Sequence, residues 1–62
     1  MYKIEFVAQG TNLIEAEKRL KTAGLKPLVL GDYVSTLAKE VDPVRSLVEN
    51  LGISKWRATK LD

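Results

Sequence analysis

The chain has 62 residues, of which 45% are hydrophobic and 29% are charged, and its net charge is +2. These values predict one soluble globular domain over residues 1–62 and exclude a disordered chain. Cysteine and histidine are both absent, which excludes disulfides, thiolate or imidazole metal sites and the commonest nucleophile–base pairs. We therefore expect a non-catalytic protein without a cofactor, a metal or a small-molecule substrate.

No apolar run reaches the roughly 18–20 residues that span a bilayer, and the N-terminus lacks the pattern of a signal peptide. We therefore expect a cytoplasmic protein that does not bind membranes. The basic side chains form two clusters, in residues 18–26 and 53–62. Either cluster could meet an acidic partner or nucleic acid, but the net charge alone is too small to indicate nucleic-acid binding.

A strand followed by a helix is predicted at the N-terminus. Four apolar residues alternate with their neighbours, as in a half-buried strand: Tyr2, Ile4, Phe6 and Ala8. Asn12 has the residue type of a helix N-cap, and Glu15 three residues later completes a capping box. The helix would then bury one apolar face, formed by Leu13, Ala16, Leu20 and Ala23.

A hairpin of two short strands is predicted next. The apolar run Leu28-Val29-Leu30 is joined to Tyr33-Val34-Ser35-Thr36 by Gly31-Asp32, and glycine at the first loop position is typical of a type II′ turn. The continuation over residues 37–41 suits a strand or a helix, because Tyr33, Leu37 and Val41 are four apart. We favour the strand.

A second helix should begin at Asp42-Pro43, where an N-cap acid precedes a proline in the first turn. Its buried stripe would be Val44, Leu47, Val48 and Leu51. Residues 53–62 suit two structures. As a strand, they would turn Trp56 and Ala58 towards the core; as a helix, they would be capped by Ser54.

The two halves of the chain repeat one pattern. Ala23-Gly24-Leu25 and Leu51-Gly52-Ile53 lie 28 residues apart, and each has a glycine where a helix would stop. The aliphatic residue after each glycine would fold back onto the last helical turn. Two such strand–helix–strand units predict an α+β domain of the ferredoxin-like order βαββαβ, with a four-stranded antiparallel sheet and two helices on one face.

The alternative for the C-terminal third is a helix-turn-helix. Residues 45–61 resemble this motif in an apolar pair before the turn, Leu51-Gly52-Ile53-Ser54 across it, and small then aliphatic residues after it. They depart from it at Val48, where a small residue would let the helices approach. The resemblance implies a DNA-binding transcriptional regulator with these groove-facing candidates: Ser54, Lys55, Arg57 and Lys60. We favour a plain helix stop that leads into a strand.

The junction between the first strand and the first helix resembles a phosphate-binding loop. Val7-Ala8-Gln9-Gly10-Thr11 is similar to the Val-Gln-Gly loop of acylphosphatases, which share the βαββαβ order. The resemblance implies a phosphate-directed enzyme. The arginine of that family is missing, because Leu13 and Ile14 stand where it would be. We therefore expect Gly10 to make a turn.

Two helices on one side would leave the other face of the sheet open. The first and last strands would place these residues there: Lys3, Glu5, Val7, Gln9, Lys55, Arg57 and Thr59. Tyr2 and Phe6 would face the helices, so the first strand lacks the aromatic platform of RNA-recognition motifs. Val7 and Val29 would help an apolar contact on the open face.

These patterns favour a small binding or regulatory module that acts through a surface. A protein partner or a homo-oligomer is favoured, and nucleic acid is the alternative. The candidate contact residues are Lys3, Lys55, Arg57 and Lys60. We expect the single tryptophan, Trp56, to belong to the core rather than to an interface.

Overall fold

A computed structural model describes all 62 residues and shows two layers, a sheet and a pair of helices. The elements in chain order are β1 (Tyr2–Val7), α1 (Thr11–Thr22), β2 (Leu28–Leu30), β3 (Tyr33–Ala38), α2 (Asp42–Asn50) and β4 (Trp56–Lys60). The strands lie in the order β2-β3-β1-β4, and every neighbouring pair is antiparallel. The ferredoxin-like α+β fold predicted from the sequence is confirmed. Neither helix has the length and apolar character needed to cross a bilayer.

The core lies between the sheet and the helices. Its buried apolar residues are Ile4, Phe6, Ala8, Ala16, Leu20, Val34, Ala38, Val44, Val48 and Ile53. The alternation predicted for β1 and the predicted stripe of α2 both face this core, with Leu47 and Leu51 packed at its margin. In α1, Ala16 and Leu20 are buried, whereas Ala23 is exposed because it lies beyond the end of the helix.

Both helices end in the same hydrogen-bonding pattern. In α1, the amide of Leu25 donates to the carbonyl of Leu20 (3.0 Å) and the amide of Gly24 donates to Lys21 (3.0 Å). In α2, the equivalent bonds run from Ile53 to Val48 (2.9 Å) and from Gly52 to Glu49 (3.0 Å). These bond pairs form a Schellman motif, which needs a left-handed residue after the helix. Gly24 and Gly52 supply it, with φ of 84° and 76°.

The starts of the helices differ from the sequence prediction. The N-cap of α1 is Gly10, with φ of 62°, and Asn12 lies inside the first turn. The predicted capping box of Asn12 and Glu15 is therefore wrong. The Asn12 side chain instead donates to the carbonyl of Leu51 (3.0 Å) and joins the two helices. In α2, Asp42 is the first helical residue and makes no capping hydrogen bond, so the boundary is one residue earlier than predicted.

The C-terminal segment is a strand, and the helix-turn-helix alternative is wrong. All five residues of β4 pair with β1, from Phe6 opposite Trp56 to Tyr2 opposite Lys60. A fourth strand satisfies the backbone groups of this edge of β1, which would otherwise be unpaired. The segment after Gly52 therefore contains no recognition helix, and the basic residues of β4 alternate between the two sides of the sheet.

Trp56 lies at the margin of the core. It is half-buried and packs against the core residues, while the guanidinium of Arg45 lies 5.7 Å from the centre of its ring. This arrangement is a cation–π contact between α2 and β4. Ala58 points to the same side as Trp56 but stays exposed, because the helices do not reach across the whole of the edge strand.

Candidate functional site

The candidate site is the side of the sheet that faces away from the helices, which we call the open face. Its residues alternate with the core residues along each strand. They are Lys3, Glu5 and Val7 of β1, Leu28 and Leu30 of β2, Tyr33, Ser35 and Leu37 of β3, and Arg57 and Thr59 of β4.

Exposed apolar side chains concentrate on the open face. The exposed large hydrophobic residues of the chain are Met1, Val7, Ile14, Leu28, Leu30, Leu37 and Leu61. The four that lie in strands all point to the open face and are between 51% and 61% exposed. Met1 and Leu61 continue the alternation of β1 and β4 and are joined by a backbone hydrogen bond of 3.1 Å. Only Ile14 lies on a helix.

A polar network crosses the middle of the open face. The carboxylate of Glu5 accepts a hydrogen bond from the Tyr33 hydroxyl and an ionic hydrogen bond from Nη2 of Arg57 (3.3 Å). Residues from three adjacent strands are thereby joined through one carboxylate that is only 16% exposed. The network holds these side chains in place at the centre of this surface, and a surface that is already ordered would lose less entropy on binding.

The network shifts the pKa values of Glu5 and Tyr33. The hydrogen bond from Tyr33 is the main cause that holds the pKa of Glu5 below its usual value; partial desolvation opposes it and Arg57 reinforces it. The same hydrogen bond raises the pKa of Tyr33, and desolvation adds to that rise. Near neutral pH, the ionised Glu5 and the neutral Tyr33 are therefore the favoured forms.

A shallow depression of about 350 Å³ lies beside this network, at the end of the sheet where β4 begins. Its lining residues are Glu5, Phe6, Val7, Tyr33, Lys55, Trp56 and Arg57. The depression has apolar walls and a basic rim, and its one hydroxyl group, that of Tyr33, is bonded to Glu5. Such a surface can receive a side chain of a partner.

The structure brings together three of the four predicted contact residues. Lys3 and Arg57 lie on the open face, and Lys55 lines the depression next to Arg57. Lys60 pairs with Tyr2, whose side chain packs against the core, and so points to the helix side. Gln9 is also elsewhere, because its amide donates to Asp32 beyond the end of β1 (3.1 Å).

The prediction for Val29 was wrong. Val29 pairs with the buried Val34, so it points to the helices, and its neighbours Leu28 and Leu30 point to the open face instead. Sequence reasoning also missed Leu37 and Tyr33 as members of this surface. For β2, the available signal was the run Leu28-Val29-Leu30. It is apolar at every position, as in strands that are covered on both faces, and so places apolar side chains on the open face as well as in the core.

A second hollow, of about 500 Å³, contains the turn that resembles the acylphosphatase loop. Gln9, Asn12, Ser54 and Lys55 are among its lining residues. The side-chain amides of Gln9 and Asn12 both donate hydrogen bonds within the protein, and no arginine lines the hollow. No group of acidic side chains is placed to hold a metal ion.

No protein-family model matches this chain, and neither a curated protein nor a solved structure matches it significantly.

Proposed function

We propose that this protein is a non-catalytic interaction module that docks a protein through the open face of its sheet. The observation that carries the proposal is the distribution of exposed apolar residues. Six of the seven exposed large hydrophobic side chains lie on or at the margin of one face, and Ile14 is the exception. Apolar residues gathered on one surface of a small domain are typical of a binding site.

The strand β2 supports this proposal. An antiparallel sheet with one solvated face usually alternates apolar and polar residues. Leu28 and Leu30 break that rule because both are more than half exposed, although β2 is an edge strand that solvent can reach. Docking of a protein would remove their apolar surface from water. This burial stabilises a complex by about 25 cal/mol per Å², before the costs of association are subtracted.

The charges of the open face favour protein over nucleic acid. The two basic side chains in its strands are Lys3 and Arg57, and Arg57 is already paired with Glu5. A phosphate backbone needs several free cations along one track. Tyr33 is the only aromatic residue of this face, and its hydroxyl is bonded to Glu5, so successive bases would find no stacking platform.

Site-specific photo-crosslinking tests the proposal. A benzophenone amino acid is placed at Leu30 on the open face or at Ile14 on α1, in the cells that naturally make the protein. The two positions are matched, since Leu30 is 61% exposed and Ile14 is 65% exposed. We expect discrete protein adducts from position 30 and none from position 14. Equal adducts from both positions, or none from position 30, would overturn the proposal.

A further inference from the structure

We propose that the partner on the open face is a second copy of this chain. The two sheets pack face to face about a two-fold axis that lies between them and runs perpendicular to the strands. This inference rests on the proposed function, because it names the occupant of the surface assigned there. The axis passes at the level of Ile4, which is paired with Thr36 of β3 and Ala58 of β4.

The charges of β1 are complementary to themselves about this axis. Lys3 and Glu5 lie on the same face of the sheet, one on each side of Ile4. A two-fold axis at Ile4 therefore lays Lys3 of each copy over Glu5 of the other copy, and the pair occurs twice by symmetry. Packed sheets lie about 10 Å apart, a gap that extended lysine and glutamate side chains span together.

Glu5 keeps capacity for this contact. A carboxylate has about four acceptor sites, and the bonds from Tyr33 and Arg57 use two of them. Lys3 has no hydrogen-bond or salt-bridge partner within the chain. The free ammonium group of Lys3 in one copy can therefore turn outwards to the Glu5 carboxylate of the other copy, which Tyr33 and Arg57 already hold in place.

Several of the remaining residues of the face also find compatible partners. The axis opposes these pairs, one residue from each copy: Val7 with Met1, Ser35 with Leu37, Arg57 with Thr59, and Lys55 with Leu61. Leu37 of the other copy then lies beside Leu28, because Leu28 is the neighbour of Ser35 in the sheet. No two like charges face each other, so the contact carries no repulsive pair.

A two-fold axis parallel to the strands gives a poorer match. It would lay β2 of one copy over β4 of the other, which sets Leu28 against Arg57 and Leu30 against Lys55. Lys3 would then lie over Leu37, and Glu5 would lie over Ser35. Both charges would lose solvent without gaining a partner, which is costly. The register of the sheet therefore selects the axis across the strands.

The face is small for a specific interface. The four strands lie about 4.8 Å apart and have 6, 3, 6 and 5 residues, so at about 3.3 Å per residue the face covers roughly 300 Å² in projection. A standard specific interface buries about 800 Å² per partner, about a fifth of the 4217 Å² surface of this chain. We therefore expect a reversible dimer in the micromolar range rather than an obligate one.

Sedimentation equilibrium of the purified chain, from about 5 to about 500 µM, measures the dimer dissociation constant. We expect Lys3→Glu to weaken the dimer about tenfold or more, because it turns two attractions into two repulsions. Lys60→Glu is the matched control. It makes the same charge change on the other side of the sheet, and we expect a change of less than about threefold.

A charge swap tests the pairing directly. Glu5→Lys alone should also weaken the dimer, whereas an equimolar mixture of Lys3→Glu and Glu5→Lys should form mixed dimers at the wild-type level. In the mixture each substituted side chain meets its opposite charge, and so do the unsubstituted Glu5 and Lys3. Because Glu5→Lys also removes the acceptor of Tyr33 and Arg57, circular dichroism checks its fold. If it does not fold, the neutral Lys3→Gln should weaken the dimer about threefold.

The outcomes separate this inference from the proposed function. A chain that stays monomeric throughout, or a dimer that Lys3→Glu and Lys60→Glu weaken equally, overturns the second-copy inference. If adducts to another protein still form from position 30 and not from position 14, the docking function stands without it. If the two crosslinking positions behave alike, the open face is no docking surface and both proposals fall.

Discussion

Replacing Thr36 by valine should stabilise this protein. Thr36 is the one polar residue of the buried set; it is 2% exposed, and its Oγ1 has no hydrogen-bond partner. A buried hydroxyl without a partner costs about 1–3 kcal/mol of stability. Valine is also β-branched and replaces the hydroxyl by a methyl group of similar size, so strand propensity and packing change little. We expect Thr36→Val to raise the free energy of unfolding by about 1–2 kcal/mol.

Urea unfolding followed by far-UV circular dichroism and by the fluorescence of Trp56 measures this change. The midpoint should rise while the m-value stays constant, because the same surface is exposed on unfolding. In a thermal scan, each kcal/mol should raise Tm by about 4–8 °C for a chain of this size. Thr59→Val is the control: Thr59 is exposed on β4, so its replacement should stay within about 0.5 kcal/mol. An unchanged or lower stability of Thr36→Val would show that the hydroxyl is satisfied and refute the reasoning.

Three further predictions concern the helix ends and the polar network. Gly24→Ala and Gly52→Ala should each lower the free energy of unfolding by about 1–2 kcal/mol in the same assay. Both positions have positive φ, and neither has a neighbour within 4 Å that a methyl group could contact. The matched Gly→Asn variants should lose less stability, and equal losses would argue against backbone strain. For Glu5, whose folded-state pKa lies below the usual 4.5, the stabilising contribution is full above the unfolded pKa and is lost as pH falls through the folded pKa. Glu5→Gln should therefore flatten the acid limb of the stability profile. For Tyr33, whose folded-state pKa lies above 10.0, the contribution is full below the unfolded pKa and is lost as pH rises through the folded pKa. Tyr33→Phe should flatten the alkaline limb, and profiles that keep the wild-type shape would contradict the network.

The sequence predicted the local structure well where one signal depends on a few neighbouring residues. The alternation from Tyr2 to Ala8 and the stops at Gly24 and Gly52 were confirmed, because side-chain period and positive φ are local properties. The Gly31-Asp32 hairpin was confirmed for the same reason: Leu30 pairs with Tyr33, and Gly31 has the required φ of 63°. The missed N-cap at Gly10 shows where local patterns fail. Asn12 has the residue type of an N-cap, but its side chain donates to the carbonyl of Leu51 at the end of α2.

The candidate surface was predicted only in part. The charged residues Lys3 and Arg57 were placed on the open face from the alternation of their own strands. The leucines of β2 were not, since a run of three apolar residues does not say which ones face the core. That choice follows from the register with β3, where the buried Val34 takes Val29 as its partner.

By itself, the sequence determined the order of the elements and the ends of the helices, because those follow from periodicity and backbone conformation within a few residues. The sequence favoured a strand for residues 56–60, but only the tertiary structure decided it, since their apolar pattern also suits a helix. Pairing with β1 settles the matter, from Phe6 opposite Trp56 to Tyr2 opposite Lys60. The same pairing sets Arg57 beside Glu5, 52 residues apart in the chain, and gathers leucines from β2 and β3 on one face. Contacts between distant segments are global properties of the fold, and no local pattern contains them.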